Sequence, residues 1–309
     1  MKVTAALLQP ATIPDELLIE LRRRTKTVIV LDVFGVVLAV HFEDEVAALL
    51  FARRFGPFLS TLTPVAHVYT ARRDDGAPVF WTDDGDRSLW PLGASSASIA
   101  ALVDVVAMEA VFRRLPEAIS FHAAAIQIDH RAVAIAGATT AGKTTTALAC
   151  VRRGLPLYTD ERCVVMNGSV HPFPRALSVR PDGAKLLASE HHAGLQALPP
   201  LANEGGRECI VPTDRFELAT PRRLTTIFFI AGRDQRVTIE PMSRSEALVA
   251  AAQALFTPAS PLERIERAAK LLQGVTTLRL TLGSPDETAC AILAAVQARE
   301  PSVSDAKSA

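Results

Sequence analysis

Residues 137–161 read GATTAGKTTTALACVRRGLPLYTDE, and this stretch decides the fold. Gly137-x-x-x-x-Gly142-Lys143-Thr144 is a complete phosphate-loop pattern. The apolar run Val133 to Ala136 precedes it and a helix-forming run, Thr145 to Arg153, follows, so the spacing predicts strand, loop and helix in that order. Small residues let backbone N–H groups curve around a phosphate, and the helix N-terminus adds its partial positive charge. The expected nucleotide contacts are therefore Gly137, Ala138, Thr139, Thr140, Ala141, Gly142, Lys143, Thr144 and Thr145. Lys143 would bridge the outer phosphates and the Thr144 hydroxyl would ligate Mg²⁺, which makes ATP and Mg²⁺ the expected cofactors. A tight strand-to-helix turn with a chance lysine is the bland alternative, and the flanking pattern disfavours it.

The same stretch closes on Asp160 and Glu161, 17 and 18 residues after Lys143. They follow a helix and a short strand, LPLY, and are expected at the carboxyl end of the strand neighbouring the phosphate-loop strand. A carboxylate there can hold the metal or accept the proton of an attacking hydroxyl. Two adjacent acids could divide these tasks, or Asp160 could hold the metal beside an incidental surface Glu161. Upstream, HAAAIQI and AVAIAG read as two strands around Asp129-His130-Arg131. That hairpin would bring His122, 15 residues before Gly137, to the loop's end of the sheet. By position alone, a lone histidine at a strand start is more often a surface or capping residue.

Downstream, CVVMNG and SVHPFP form an expected hairpin around Asn167-Gly168, and LTTIFFIAG has the continuous β-branched and aromatic character of a central strand. Ser243-x-x-Glu246, Ser260-x-x-Glu263 and Ser284-x-x-Glu287 are capping boxes heading three helices, with VTTLRLTL as a strand between the last two. Gly154 stands where a helix C-terminal glycine belongs. The fold class expected for 116–300 is an α/β phosphate-loop domain with a mixed sheet, and 301–309 reads as a disordered tail.

Residues 1–115 read as a small α+β domain, a candidate for substrate recognition. VIVLDVF and VVLAVHF would pair around Gly35, and EDEVAALLFARRF would be a helix with Val46, Leu49 and Leu50 on its apolar face. HVYTARR, APVFWTD and DRSLWPL are short strands, and a helix of the span 98–115 leads onward. Asp32, followed by Val-Phe-Gly, lacks the second aspartate of an aspartyl-nucleophile motif and is read as structural.

The whole chain has 309 residues, 49% of them apolar, with 33 Lys and Arg against 33 Asp and Glu. This neutrality gives no reason to expect nucleic acid or a membrane as partner. Cys150, Cys163, Cys209 and Cys290 lack metal-ligand spacing and suit a reducing compartment, and no secretory signal or bilayer-length apolar run stands out. A cytoplasmic location is expected, and a homo-oligomer is compatible with the sequence.

His122, the GATTAGKT loop fifteen residues on, and a carboxylate pair seventeen residues after the lysine together resemble the bacterial HPr kinase/phosphorylase family, including the related peptide kinases of lasso-peptide gene clusters. The resemblance covers about residues 118–235 and weakens after 180. It implies a compact phosphate-loop kinase domain that transfers the γ-phosphoryl group of ATP to a serine hydroxyl of a protein or peptide. It implies further that the acids supply base and metal contact, and that His122 lies near the reacting phosphate. The family pair is Asp-Asp where this chain has Asp160-Glu161, so the resemblance leaves the base open between them. No segment matches the family's Glu-x-Arg-Gly-Leu-Gly stretch, which argues against HPr itself as acceptor. Because a transferring phosphoryl group needs more than one cation, Arg180 and Arg207 are candidate phosphate contacts. The expected function is a Ser/Thr kinase acting on a small protein or peptide, a lasso-type precursor among the options. Two alternatives are a nucleotide-gated binding or regulatory module with no acceptor, and a kinase of a small-molecule alcohol.

Overall fold

The computed structural model describes residues 15–72, 76–83, 87–89, 95–179, 195–197, 208–212, 220–256 and 260–298. Arg180, Arg207 and the expected tail at 301–309 lie outside the described residues. The chain divides into two compact units, one of Met1–Pro116 with Leu198–Cys209, the other of Glu117–Ala197 with Ile210–Ala309. Among the described residues no helix is long and apolar enough to cross a membrane.

The first unit runs α1 (Asp15–Arg24), β1 (Thr27–Val33), β2 (Val36–Phe42), α2 (Glu45–Arg54), β3 (Ala66–Arg72), β4 (Pro78–Thr82), β5 (Arg87–Leu89) and α3 (Ser96–Arg113). Its sheet has the order β1-β2-β3-β4-β5, antiparallel except where β2 meets β3. The β1–β2 turn places Phe34 and Gly35 at φ 55° and 83°, the left-handed pair that a two-residue hairpin demands. The Gly35 N–H donates to the Asp32 carboxylate at 2.9 Å, so Asp32 is a turn residue, as its sequence context indicated.

The expected apolar face of α2 requires correction. Its buried residues are Ala47, Ala48, Leu50 and Phe51, while Val46 and Leu49 are 57% and 53% exposed. Asp44 caps the helix by accepting from the Ala47 N–H, and the two alanines face inward, where α2 packs against α3. The buried stripe combines the two alanines with Leu50 and Phe51, and leaves Val46 and Leu49 outside it. The helix expected at 98–115 begins two residues earlier, because Ser95 accepts from the Ser98 N–H and acts as its cap.

The second unit is a three-layer α/β arrangement. It contains β6 (Ile119–Ile128), β7 (Arg131–Ala136), α4 (Lys143–Val151), β8 (Leu157–Thr159), β9 (Arg162–Met166), β10 (Ser169–His171), β11 (Leu177–Val179), β12 (Leu195–Ala197), the part of β13 (Glu208–Pro212) from Ile210 on, and β14 (Arg222–Arg233). The chain continues with β15 (Thr238–Pro241), α5 (Arg244–Ala254), α6 (Pro261–Leu271), β16 (Thr276–Leu282) and α7 (Pro285–Gln297). The main sheet has the order β10-β9-β6-β7-β14-β16-β15, with β8 also paired to β6, and β11-β13-β12 form a separate small sheet. The run LTTIFFIAG is central and parallel to both neighbours, β7 and β16, whereas β6–β7 and β15–β16 are antiparallel. This is the mixed sheet that the sequence led us to expect.

The alternation of β6 and β7 sorts two cores. Ile126, Val133 and Ile135 point into the layer of α4 and α7, where Leu148 and Ile292 pack. Ala123, Ala125, Ala132, Ala134 and Ala136 point to the other face, where Ala251, Ala268 and Leu271 of α5 and α6 pack. Alanine on both sides of that second interface lets helices lie close to the sheet. All three capping boxes are made in both directions, with Pro261 and Pro285 in the first turn of their helices.

Candidate active site

β7 ends at Ala136, the loop 137–142 follows, and α4 starts at Lys143. Thr140 and Gly142 take φ of 71° and 115°, which turn successive peptide N–H groups into a concave loop. At Gly142 this conformation is open only to glycine. A Cβ at Gly142 would stand 2.8 Å from both Arg233 Nη2 and Leu282 Cδ1, and one at Gly137 would stand 3.1 Å from Ile230 Cβ. The loop is therefore a close-fitting cradle, which fits a nucleotide phosphate. Ala138, Thr139 and Thr140 line its exposed rim, while Ala141, Thr144 and Thr145 are half-buried.

Lys143 is 6% exposed and donates to the carbonyls of Gly137 at 3.0 Å and Ala138 at 2.9 Å. Burial pulls its pKa down to about 8, against the attraction of Asp160, so the ammonium form still predominates at neutral pH.

The carboxylates do not follow the strand adjacent to β7, and this expectation is corrected. β6 lies between. It pairs with β7 on one side and with β8 and β9 on the other, and Asp160-Glu161 form the break between β8 and β9. Because β6 is antiparallel to both, β8 runs parallel to β7, and its carboxyl end reaches the same sheet end as Gly137. Ala123 pairs with Ala136 and donates its N–H to the Glu161 carbonyl at 3.2 Å. One residue earlier, His122 pairs with Arg162. The hairpin thus brings His122 to the loop's end of the sheet, as its spacing indicated.

The two acids have different surroundings. Asp160 is 3% exposed, and its charge is felt by Lys143. Glu161 is half-exposed and ion-paired to Arg175, itself buried. Arg162 is also buried. It donates to the Ser120 hydroxyl at 3.3 Å and stacks 4.1 Å over the Phe256 ring, which in turn sits 5.5 Å from His122. The Phe256 N–H donates to the Ser120 carbonyl and ties the chain at Phe256 to β6. Burial, then the charges of Lys143, Arg162 and Arg175, push His122 down to about 4, leaving it neutral near pH 7.

The sequence reading missed Arg162, Arg175, Phe256 and Arg233. Arg162 directly follows the acids and could have been found by its strand register opposite His122. Arg175 and Phe256 stand in irregular chain with no pattern to mark them. Among the described residues no group of three His, Cys, Asp or Glu side chains forms a metal cage. Thr144, in the first turn of α4, offers a hydroxyl oxygen, a hard donor of the kind that suits Mg²⁺.

The depressed His122 gives a pH dependence. Between pH 6.5 and about 4 the unfolded chain binds a proton that the folded chain refuses, so stability is complete above the unfolded value and is lost as pH falls. His41, held near 4 mainly by burial, adds the same sign in the first unit. Denaturant unfolding followed from pH 7 to 4.5 should show this decline, and His122→Asn should flatten it for the second unit. An equally steep decline in the variant would contradict the assignment.

The class defined by this geometry is an α/β protein with a glycine-containing strand-to-helix loop of the phosphate-loop pattern at the carboxyl end of an interior strand, and with two acids and a neutral histidine at the same end of the sheet. No protein-family model and no curated protein matches the chain. Among solved structures it is similar to the HPr(Ser) kinase/phosphatase of Coxiella burnetii, at 14% identity and a TM-score of 0.27, over 58% of this chain and 95% of that one.

Proposed function

We propose that the chain is an ATP- and Mg²⁺-dependent kinase that phosphorylates a Ser or Thr hydroxyl of a small protein or peptide, a lasso-type precursor peptide being one such acceptor. The observation that carries this reading is the division of environment between adjacent acids. Asp160 is buried on the Lys143 side, and Glu161 is tied to Arg175. A carboxylate held in an ion pair with a guanidinium has its oxygens engaged by that partner's N–H donors. Asp160 is therefore the proton acceptor, and Glu161 is the residue positioned with Arg175.

In the proposed reaction the acceptor O–H gives its proton to the Asp160 carboxylate while its oxygen forms a bond to the γ-phosphorus. The bond from that phosphorus to the β–γ bridging oxygen breaks, and ADP leaves. Thr144 and the phosphate oxygens would hold Mg²⁺, which when bound would neutralise phosphate charge. Lys143 binds the outer phosphates. His122, neutral, donates one N–H to a phosphoryl oxygen without adding charge, and Arg162 and Arg175 supply a positive field beside it. The first unit would hold the acceptor.

A generic NTPase needs one acid for the metal and a group to orient water, and gains nothing from a second acid locked to a buried arginine. The test is acceptor mapping. The full chain with ATP and Mg²⁺ should phosphorylate Ser- or Thr-containing peptides and leave their Ser→Ala, Thr→Ala counterparts unmodified. Phosphorylation of small alcohols alone would favour the small-molecule reading.

A further inference from the structure

β14 overhangs the phosphate loop. Phe229 pairs with Ala136, the last residue of β7, so Ile230 to Arg233 continue past the point where the loop begins. Ile230 lies against Gly137 at the loop's start, and the Arg233 guanidinium lies against Gly142 at its end. Strict alternation would put residues 230 and 233 on opposite faces of the strand. The register of β14 against β16 slips between Ile230 and Gly232, after which Arg233 pairs with Leu282. A bulge of this kind re-aims the side chains beyond it, and here it turns Arg233 back to the loop side. Arg233 is exposed. Its planar fork of N–H donors matches phosphate oxygens bidentately.

We infer that Arg233 is a nucleotide contact, a guanidinium clamp on the β- or γ-phosphate of ATP that acts from across the loop. The inference rests on the nucleotide-binding part of the proposed function. The clamp closes on the loop from β14, whereas Lys143 reaches it from within. Leu282, also against Gly142, backs the same side of the loop with an apolar wall.

The experiment measures the affinity of the full chain for ATP, ADP and AMP at two salt concentrations, with Arg233→Met and Arg233→Lys. Methionine keeps the aliphatic packing against Gly142 and removes the charge. We expect Arg233→Met to weaken ATP about tenfold or more, to leave AMP unchanged and to lower the salt dependence of ATP binding. Arg233→Lys should recover part of the loss. A loss confined to ATP assigns the γ-phosphate and a loss shared with ADP the β-phosphate, and either supports the clamp. Wild-type ATP affinity in Arg233→Met, or equal weakening of all three nucleotides, overturns it as a packing effect. A wild-type chain that binds no nucleotide overturns the kinase reading and the clamp together.

Discussion

Asp160→Asn should lower phosphoryl transfer by about 10³-fold while ATP binds as well as before or tighter, since general-base catalysis contributes about 10² to 10⁴. The substitution is nearly isosteric at a site only 3% exposed, so the surrounding packing is kept. It removes the group that takes the acceptor's proton, and also a negative charge near the phosphates, which explains the opposite signs on rate and affinity. Glu161→Gln should cost less, about 10- to 100-fold, because Glu161 acts through its ion pair with Arg175 and not on the proton. Single-turnover rates with saturating ATP separate the two. If Glu161→Gln abolished transfer and Asp160→Asn retained it, the base would have to move to Glu161.

Lys143→Met should raise the ATP dissociation constant about 100-fold, equivalent to about 2.7 kcal/mol, within the range for a lost charged hydrogen bond. The second half of this prediction concerns the unliganded protein. Burial already pulls the lysine's pKa down to about 8, so the ammonium is held at a cost that Asp160 only partly offsets. Removing the charge relieves that cost. The unliganded variant should unfold at no lower denaturant concentration than unliganded wild type, the pattern of a residue retained for function at the expense of stability. Titration calorimetry together with denaturant unfolding reads both halves. Strong destabilisation with intact ATP binding would mean that Lys143 is a structural residue.

Much of this was legible in the sequence because it rests on local chemistry. The capping boxes at Ser243, Ser260 and Ser284 need only residues three apart, and all three are made. The Asn167-Gly168 hairpin needs only two positive-φ residues, and both adopt them. His122 could be placed because a tight β6–β7 turn fixes register, and register fixes which strand end it shares with Gly137. The failures come where distant parts of the chain decide. That β6 inserts between the phosphate-loop strand and the acids is set by long-range strand order, to which the LPLY run is blind. On α2 the large apolar residues Val46 and Leu49 are exposed and the alanines buried, because helix phase follows the Asp44 cap and the α3 contact. Arg162, Arg175 and Arg233 have no motif. Arg162 from β9 and Arg175 from the chain after β10 come together around His122 and Glu161, Arg233 reaches the loop from a bulged strand end, and only the folded sheet brings them there.

The central claim is transfer of phosphate to a hydroxyl, not its release to water. The direct measurement follows γ-labelled ATP with the full chain, Mg²⁺ and a Ser- or Thr-containing peptide pool, counting label on peptide against label in free inorganic phosphate. The account predicts that most label lost from ATP appears on peptide Ser or Thr, and that Asp160→Asn stops both fates. Label released wholly as inorganic phosphate, with peptides present and unlabelled, would contradict it.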